Sequence, residues 1–440
     1  ADAGAMAVLW EPPYAGPGVA RDLPLLAVDG LSRQVGHIAG RFFGHPSRDL
    51  KVVGITGTDG KTSCAHFIAQ ALHGPRTPSA ILGTLGYGVY GRTTPASHTT
   101  PEALTLHRLL AAFRDQGVAQ VAMEVSSHAL EQGRVAGVDF AAAVLTNVTR
   151  DHLDYHGSLG AYAAAKQRLF TDCRPAAAVL NLDDAVGRSL AGALAGGGRR
   201  VVGYGLGARP TDGLDGFVWG EDLQLYPAGL GLRISSSWGA AQLHAGLLGH
   251  FNASNLLAAL AALLALELPL AEAVRRLSQA TTVAGRMERF GGEGGRPLAV
   301  VDYAHTPHAL ERVLTALKEH LQGRLWCVFG CGGDRDPGKR PEMGAIAERY
   351  ADHLIVTDDN PRREDPQRIV GQILAGMQNP AAAQVIRDRR QAILTALGGA
   401  AAADIILIAG KGHEDYQLLG AQRLPFSDRD VVRRWLETGP

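Results

Sequence analysis

An α/β fold with two mainly parallel sheets is predicted by three features of this 440-residue chain. Short apolar strands alternate with helix-period segments, a glycine-rich loop joins one strand to a helix, and a second alternating series begins near Gly285. In the first series the strands read QVAMEV, AAAVLTNV, AAAVLNLD and RRVVGYG, separated by helical stretches such as TLHRLLAAFRDQ and LGAYAAAKQRLF. Such alternation covers a parallel sheet on both faces. The second series reads PLAVVDYAH, RLWCVFGCGGD, HLIVTDDNPR and DIILIAGKGHE. Each of these strands ends in a polar or glycine-bearing cluster, and ligands of open parallel sheets bind beyond the carboxyl ends of the strands, so the four endings outline one site.

The remaining elements follow in order. AMAVLW and LPLLAV, within residues 1–29, are short apolar runs that amount to less than a domain, and LSRQVGHIAGRFFG has helical spacing. Residues 207–247, with GFVWG, LQLYPAGLGLRISS and AQLHAGLL, read as antiparallel hairpins attached to the first sheet. LLAALAALLALEL, from Leu256 to Leu268, is shorter than the ~20 residues that cross a bilayer and reads as a buried helix. The opening ADAGAMAVLWEPP has no initiator Met, and a missing front part is expected.

Composition narrows the function classes. The length suits two or three domains, and 46% hydrophobic against 20% charged residues supports sizeable cores. Lys+Arg 43 against Asp+Glu 43 leaves no electrostatic footprint for nucleic acid or a membrane surface, so small-molecule partners are expected. Cys64, Cys173, Cys327 and Cys331 form no CxxC pair, which fits reduced thiols in a cytoplasm and suggests no zinc. No basic segment followed by an apolar one opens the chain, so secretion is not indicated.

VVGITGTDGKTS, from Val52 to Ser63, carries the chemistry. A strand delivers the loop, Gly57 and Gly60 let backbone N–H groups approach phosphate oxygens with Thr58 and Asp59 between them, Lys61 adds charge, and the Thr62 hydroxyl suits magnesium. The loop is built to hold ATP, although the position five before Gly60 is Ile55, so it is not a strict Walker A motif. Glu124 follows QVAM at a strand end of the same sheet, where a carboxylate is a hard ligand for magnesium. LTNVTRDHLDYHG brings Asn147, Asp151, His152, Asp154 and His156 to the next strand end, and Lys166, on a helix, reads by itself as a surface lysine.

GTDGKT, MEVSSH, TNVTRDHLDYHG, AAKQRLF, GHFNASN, DYAHTP, FGCGGDRD, DNPR and GKGHE, in that order, resemble the Mur ligases of peptidoglycan synthesis, most nearly the MurE type, from about Leu31 onward. The resemblance implies a remnant of an N-terminal UDP-binding domain at 1–29, a central ATP-binding P-loop-type domain at 30–284, and a C-terminal Rossmann-like amino-acid-binding domain at 285–440. It implies ATP-dependent addition of meso-diaminopimelate to UDP-N-acetylmuramoyl-L-alanyl-D-glutamate through an acyl phosphate, by a cytoplasmic monomer. Carried over residue by residue, Lys61, Glu124, His152 and Lys166 are the catalytic set. Thr62 and Glu124 hold one magnesium, while His152 and a carbamylated Lys166 hold a second.

Asn252 would face adenine, with Asn255 as the less certain partner, and Arg286, Asp302 and His305, with Tyr303 between the last two, would face the nucleotide. Thr99, Thr100, Ser126 and Arg134 would hold the muramyl dipeptide. Arg335, Asp359, Asn360, Arg362, Gly410 and Glu414 would hold meso-diaminopimelate, with Arg362 gripping the second carboxylate through two parallel hydrogen bonds. Asp59 stands where Asn is common in the family, a change expected to be tolerated. A folylpolyglutamate synthase would share the loop and the modified lysine, but DNPR and LDYHGS argue against it. A nucleotide-gated switch would not need four ligand-rich strand ends in a second domain.

Overall fold

The computed structural model describes residues 6–13, 23–208 and 213–438. The chain divides into two compact units, the first formed by residues 1–221, 233–241 and 254–277, the second by 222–232, 242–253 and 278–440. Within the expected N-terminal remnant, residues 6–13 and 23–29 are described and contain two short strands, β1 (Val8–Trp10) and β2 (Leu25–Ala27), paired in parallel register; residues 1–5 and 14–22 lie outside the described ones.

The first large sheet contains β3 (Lys51–Thr56), β4 (Ser79–Gly83), β5 (Gly86–Val89), β6 (Arg92–Thr94), β7 (Gln120–Glu124), β8 (Ala142–Leu145), β9 (Ala177–Asn181), β10 (Arg200–Gly205), β11 (Gly216–Tyr226), β12 (Gly229–Ser236) and β13 (Gly239–Ala245). Their order is β13-β12-β11-β10-β9-β8-β3-β7-β4-β5-β6. The central strands β10, β9, β8, β3, β7 and β4 pair in parallel, as the alternation predicts. The hairpin expectation for 207–247 needs correction at its start, and residues 209–212 of that span are not described. β11 joins β10 in parallel; only the two-residue connections from β11 to β12 and from β12 to β13 are tight enough to force antiparallel neighbours.

Burial explains the local choices. β3 is buried from Val52 to Thr56 because helices cover both faces of the sheet, so its residues read as a continuous apolar run. Helix Lys61–Leu72 turns Cys64, Phe67, Ile68, Ala71 and Leu72 to the core, the i, i+3, i+4, i+7, i+8 stripe of a helix lying on a sheet. Helix Leu159–Thr171 starts where the Ser158 hydroxyl accepts from the Ala161 amide at 3.2 Å, and its stripe is Tyr162, Ala165, Lys166, Leu169 and Phe170. A lysine therefore occupies a core position.

The second sheet contains β14 (Glu288–Gly291), β15 (Leu298–Asp302), β16 (Leu325–Phe329), β17 (His353–Val356), β18 (Ala383–Val385) and β19 (Ile405–Ala409) in the order β14-β15-β19-β16-β17-β18. All pairs are parallel except β14 with β15. Along β19, Ile405, Leu407 and Ala409 pack with Leu310, Leu314, Met343 and Ile373, while Ile406 and Ile408 pack with Ile393, Leu397 and Val432. The period of two thus feeds two separate helix layers. A hairpin of β20 (Tyr416–Leu419) and β21 (Gln422–Pro425) completes this unit. No described helix is long and apolar enough to cross a membrane; the run Leu256–Leu268 is buried through Leu264 as expected but helical only to Ala265, within a helix that begins earlier, at His250, and Leu266–Leu268 lie beyond its end.

Candidate active site

The loop after β3 has the conformation that its glycines permit. Gly57 and Gly60 adopt φ of 149° and 82°; a Cβ would lie 1.8 Å from Thr146 Oγ1 at the first and 2.4 Å from Asn255 Oδ1 at the second. Helix Lys61–Leu72 begins at Gly60 without a side-chain cap, which leaves its first amides available to a phosphate. The loop is held from behind: the Asp59 amide donates to Asn147 Oδ1 at 3.0 Å, and its carbonyl accepts from Thr146 Oγ1 at 2.6 Å. Lys61 Nζ folds back to donate to the carbonyls of Gly57 (3.0 Å) and Thr58 (2.8 Å). Burial lowers its pKa against the attraction of Glu124 and Asp59.

Glu124 ends β7 at 1% exposure. Its Oε2 accepts from Thr62 Oγ1 at 2.9 Å and its Oε1 from the Thr84 amide at 2.9 Å, while burial raises its pKa against the hydrogen bond from Thr84 and the charge of Lys61. Gly83 makes room for the carboxylate, since a Cβ there would lie 2.2 Å from Glu124 Oε1. Thr62 and Glu124 offer two hard oxygens side by side. That fits magnesium, which usually keeps waters and takes its other oxygens from substrate phosphates. Among the described residues no group of three or more His, Cys, Asp and Glu is arranged to hold a metal by itself.

Lys166 is 1% exposed, contrary to its reading as a surface lysine. Its Nζ donates to the Gly57 carbonyl at 2.6 Å and lies 4.3 Å over the Tyr162 ring. Burial, then the nearby Lys61 charge, lowers its pKa to about 7. His152, with φ of 51°, has a half-exposed ring 6.1 Å from that of Tyr162 and 5.1 Å from that of His128. Lys166 and His152 are thus neighbours around one tyrosine, although unmodified Lys166 is a donor and cannot ligate a cation. His156 lies in the same cluster, its Nε2 3.0 Å from Ser127 Oγ. Asp151 lies 3.5 Å from His152 Nε2.

The four residues expected at the dipeptide gather beside Glu124. Thr100 Oγ1 donates to the Glu124 carbonyl at 2.9 Å and accepts from the Ser126 amide at 3.0 Å. Arg134 reaches the Thr100 carbonyl at 3.2 Å, and the Thr99 and Thr84 hydroxyls are 3.1 Å apart. Asn252, expected at adenine, is 2% exposed and donates its side-chain amide to the Leu248 carbonyl at 2.8 Å. Asn255 meets Cys64, whose thiol donates to Asn255 Oδ1 at 3.6 Å.

In the second unit, β15, β19, β16 and β17 are consecutive parallel neighbours, so their four endings share one edge. Asn360 Nδ2 donates to Glu414 Oε2 at 2.9 Å; Lys411 Nζ donates to that oxygen at 2.8 Å and to Asn360 Oδ1 at 3.1 Å. Burial raises the Glu414 pKa, but the Lys411 hydrogen bond and charge leave it lowered on balance. Asp359 Oδ2 is buried without a partner, and a Cβ on Gly410, at φ 117°, would lie 2.5 Å from it. Arg362, with φ of 53°, donates to the Gly333 carbonyl at 2.7 Å, and Arg335 is exposed on the adjoining turn. Asp302 accepts from the Met287 and Ala304 amides, each at 2.7 Å, while Arg286 lies 4.9 Å over Tyr303, whose ring is 4.5 Å from that of His305.

Sequence reasoning missed Thr84, Tyr162, His128 and Lys411. Tyr162 was open to detection as part of the apolar stripe that carries Lys166, Lys411 lies inside GKGHE and His128 closes MEVSSH; Thr84 stands in no pattern that points to its neighbours.

Residues 55–263 match the Mur ligase middle domain and residues 285–412 the Mur ligase, glutamate ligase domain. The chain is 52% identical over 438 residues to UDP-N-acetylmuramoyl-L-alanyl-D-glutamate--2,6-diaminopimelate ligase of Alkalilimnicola ehrlichii, covering 98% of this chain and 86% of the relative. Its identity to the enzyme of the same name from Xylella fastidiosa is 50%, with the same coverage. A solved structure of a ligase of that name aligns with a TM-score of 0.79 at 38% identity, over 99% of this chain and 87% of the other. A folylpolyglutamate synthase of Mycobacterium tuberculosis shares the fold at 19% identity and a TM-score of 0.63, over 93% and 95% of the two chains. Phosphate loop, buried lysine and strand-end clusters therefore sit in a known frame, and the chain belongs to the Mur ligase family.

Proposed function

We propose that this chain is an ATP-dependent, ADP-forming ligase that joins meso-diaminopimelate to UDP-N-acetylmuramoyl-L-alanyl-D-glutamate in peptidoglycan precursor synthesis. Relatives at about half identity over nearly the whole chain bear that name. The observation that carries the chemistry is the Thr62–Glu124 pair, 2.9 Å apart, beside an uncapped helix start and next to Lys61.

In this reading the D-glutamate γ-carboxylate attacks the γ-phosphorus of ATP, ADP leaves, and an acyl phosphate forms. The amine then attacks the acyl carbon, phosphate departs, and the nitrogen loses a proton. Two anions must meet in the first step, and Lys61 with the helix amides screens them. Magnesium, held by Thr62 and Glu124, would supply further charge neutralisation at the phosphates. Thr99, Thr100, Ser126 and Arg134 would orient the dipeptide, and His152 with a carbamylated Lys166 would form a second cation site. Asn252, Arg286, Asp302 and His305 would serve the nucleotide, and Arg335, Asp359, Asn360, Arg362, Gly410 and Glu414 the amino acid. A cytoplasmic monomer fits these small substrates.

ADP release measured with the muramyl dipeptide and meso-diaminopimelate, L-lysine, glutamate or no amine tests the reading. Release that depends on meso-diaminopimelate is expected; equal release with no amine overturns it.

A further inference from the structure

A cleft of about 650 Å³ lies within the first unit at the edge of the sheet opposite the phosphate loop. Its lining residues Arg48, Asp139 and Cys173 directly precede β3, β8 and β9, whereas the phosphate loop follows β3. One wall is helix Leu31–Phe42, which presents Arg33, His37 and Arg41 at a spacing of four, a single stripe along the helix. His45 and Arg48 continue it, and Arg168 faces it. Arg33 and Arg41 thus stand about two turns apart on the same side of the helix.

The acids in the cleft do not neutralise it. Asp139 pairs with Arg48 at 3.3 Å and Asp172 with Arg168 at 2.8 Å, so those two acids are spent on their own arginines. Glu131 lies 3.9 Å from His156, whose pKa burial lowers, so it stays a negative charge on the cleft wall against the charges of Arg33 and Arg41. Among the described residues Arg33, His37, Arg41 and His45 form no ion pair within 4 Å, although the Glu11 carboxylate, which accepts from the Ser32 amide at 2.8 Å, feels the Arg33 charge. Arg33 and Arg41 are eight residues apart, about 12 Å along a helix axis, which suits an extended anion better than one phosphate. The floor is preorganised: a Cβ on Gly36 would lie 2.3 Å from the Ala136 carbonyl oxygen, so helix and loop backbones touch. Leu130, Val135 and Val138 add apolar lining.

We infer that this cleft is a second, non-catalytic binding site for an anion carrying two or more phosphates. The volume falls in the range of small-ligand pockets. Its position behind the sheet separates it from the phosphate loop.

Calorimetric titration with inorganic pyrophosphate, on full-length protein whose phosphate loop is saturated with a non-hydrolysable ATP analogue, tests the site. One pyrophosphate per chain is expected, with at least tenfold weaker binding in the Arg33→Glu/Arg41→Glu variant and unchanged affinity for the ATP analogue. The Arg33→Gln/Arg41→Gln variant, checked for an unaltered circular dichroism spectrum, guards against misfolding and should show the same loss. A parallel titration with ADP separates sources: tighter binding than pyrophosphate assigns the site to nucleotides, equal binding to free polyphosphate. No binding to the saturated protein, or binding unaffected in both variants, overturns the inference.

Discussion

Lys166 Nζ and Lys61 Nζ donate to the same carbonyl, that of Gly57, at 2.6 and 3.0 Å. Two buried ammonium groups on one acceptor repel each other, and with burial this brings Lys166 to about 7, so a large fraction is neutral near neutral pH. A neutral amine is the form that adds carbon dioxide, and the carbamate would exchange a repelled cation for an anionic oxygen donor. Lys166→Ala is expected to lower ligase turnover by a factor on the order of 100, with partial rescue by short carboxylic acids. Full activity in the variant would remove Lys166 from the mechanism.

Thr62→Val deletes the donor to Glu124 Oε2, which keeps Thr84 Oγ1 at 3.2 Å. A stability loss of only about 1 kcal/mol is expected. The magnesium requirement should rise severalfold, read from activity against metal concentration; an unchanged requirement would argue against Thr62 as a ligand.

Gly60→Ala puts a methyl group 2.4 Å from Asn255 Oδ1 on a residue with φ of 82°. The strain is about 1–3 kcal/mol and falls on the loop. Melting temperature should drop and the KM for ATP rise at least about tenfold, equivalent to about 1.4 kcal/mol. Gly117, with φ 75° and open space around it, serves as the control, since Gly117→Ala tests backbone strain without a clash.

Arg362 holds the Gly333 carbonyl at 2.7 Å and keeps its planar fork on a backbone with φ of 53°. Arg362→Lys retains the charge and loses the fork. The KM for meso-diaminopimelate should rise about tenfold or more while that for ATP stays put; equal KM values for the amine in both proteins would exclude the carboxylate-gripping role.

His66 contributes a pH dependence of stability. Burial depresses its pKa from 6.5 to about 4, so the unfolded chain binds the proton more readily than the folded one. Its contribution is complete above pH 6.5 and is lost as pH falls through about 4, up to about 3 kcal/mol. Urea unfolding at pH 7.5 and 4.5 should differ less in His66→Leu than in the parent; an identical difference would remove His66 as a source.

Much of this molecule was legible because strands covered on both faces leave continuous apolar runs, as in β3 and β19, and because parallel strands put their carboxyl ends at one edge. The phosphate loop announces itself through residue types that only one backbone path accommodates. Lys166 misled as a single residue, since its burial is visible only when Tyr162, Ala165, Leu169 and Phe170 are seen to share its stripe.

By itself the sequence determined where strands and helices alternate, which turn must be glycine, and which strand ends carry charge, since all three depend on neighbours within a few residues. Tertiary structure alone decided that Thr84 and Thr62 share Glu124, that Lys411 joins Asn360 to Glu414 across 51 and 54 positions of chain, and that Arg33, His37 and Arg41 face a cleft. The reason is physical: such contacts follow from the spatial order of strands, as in β15-β19-β16-β17, and that order is set by packing between segments far apart in the chain.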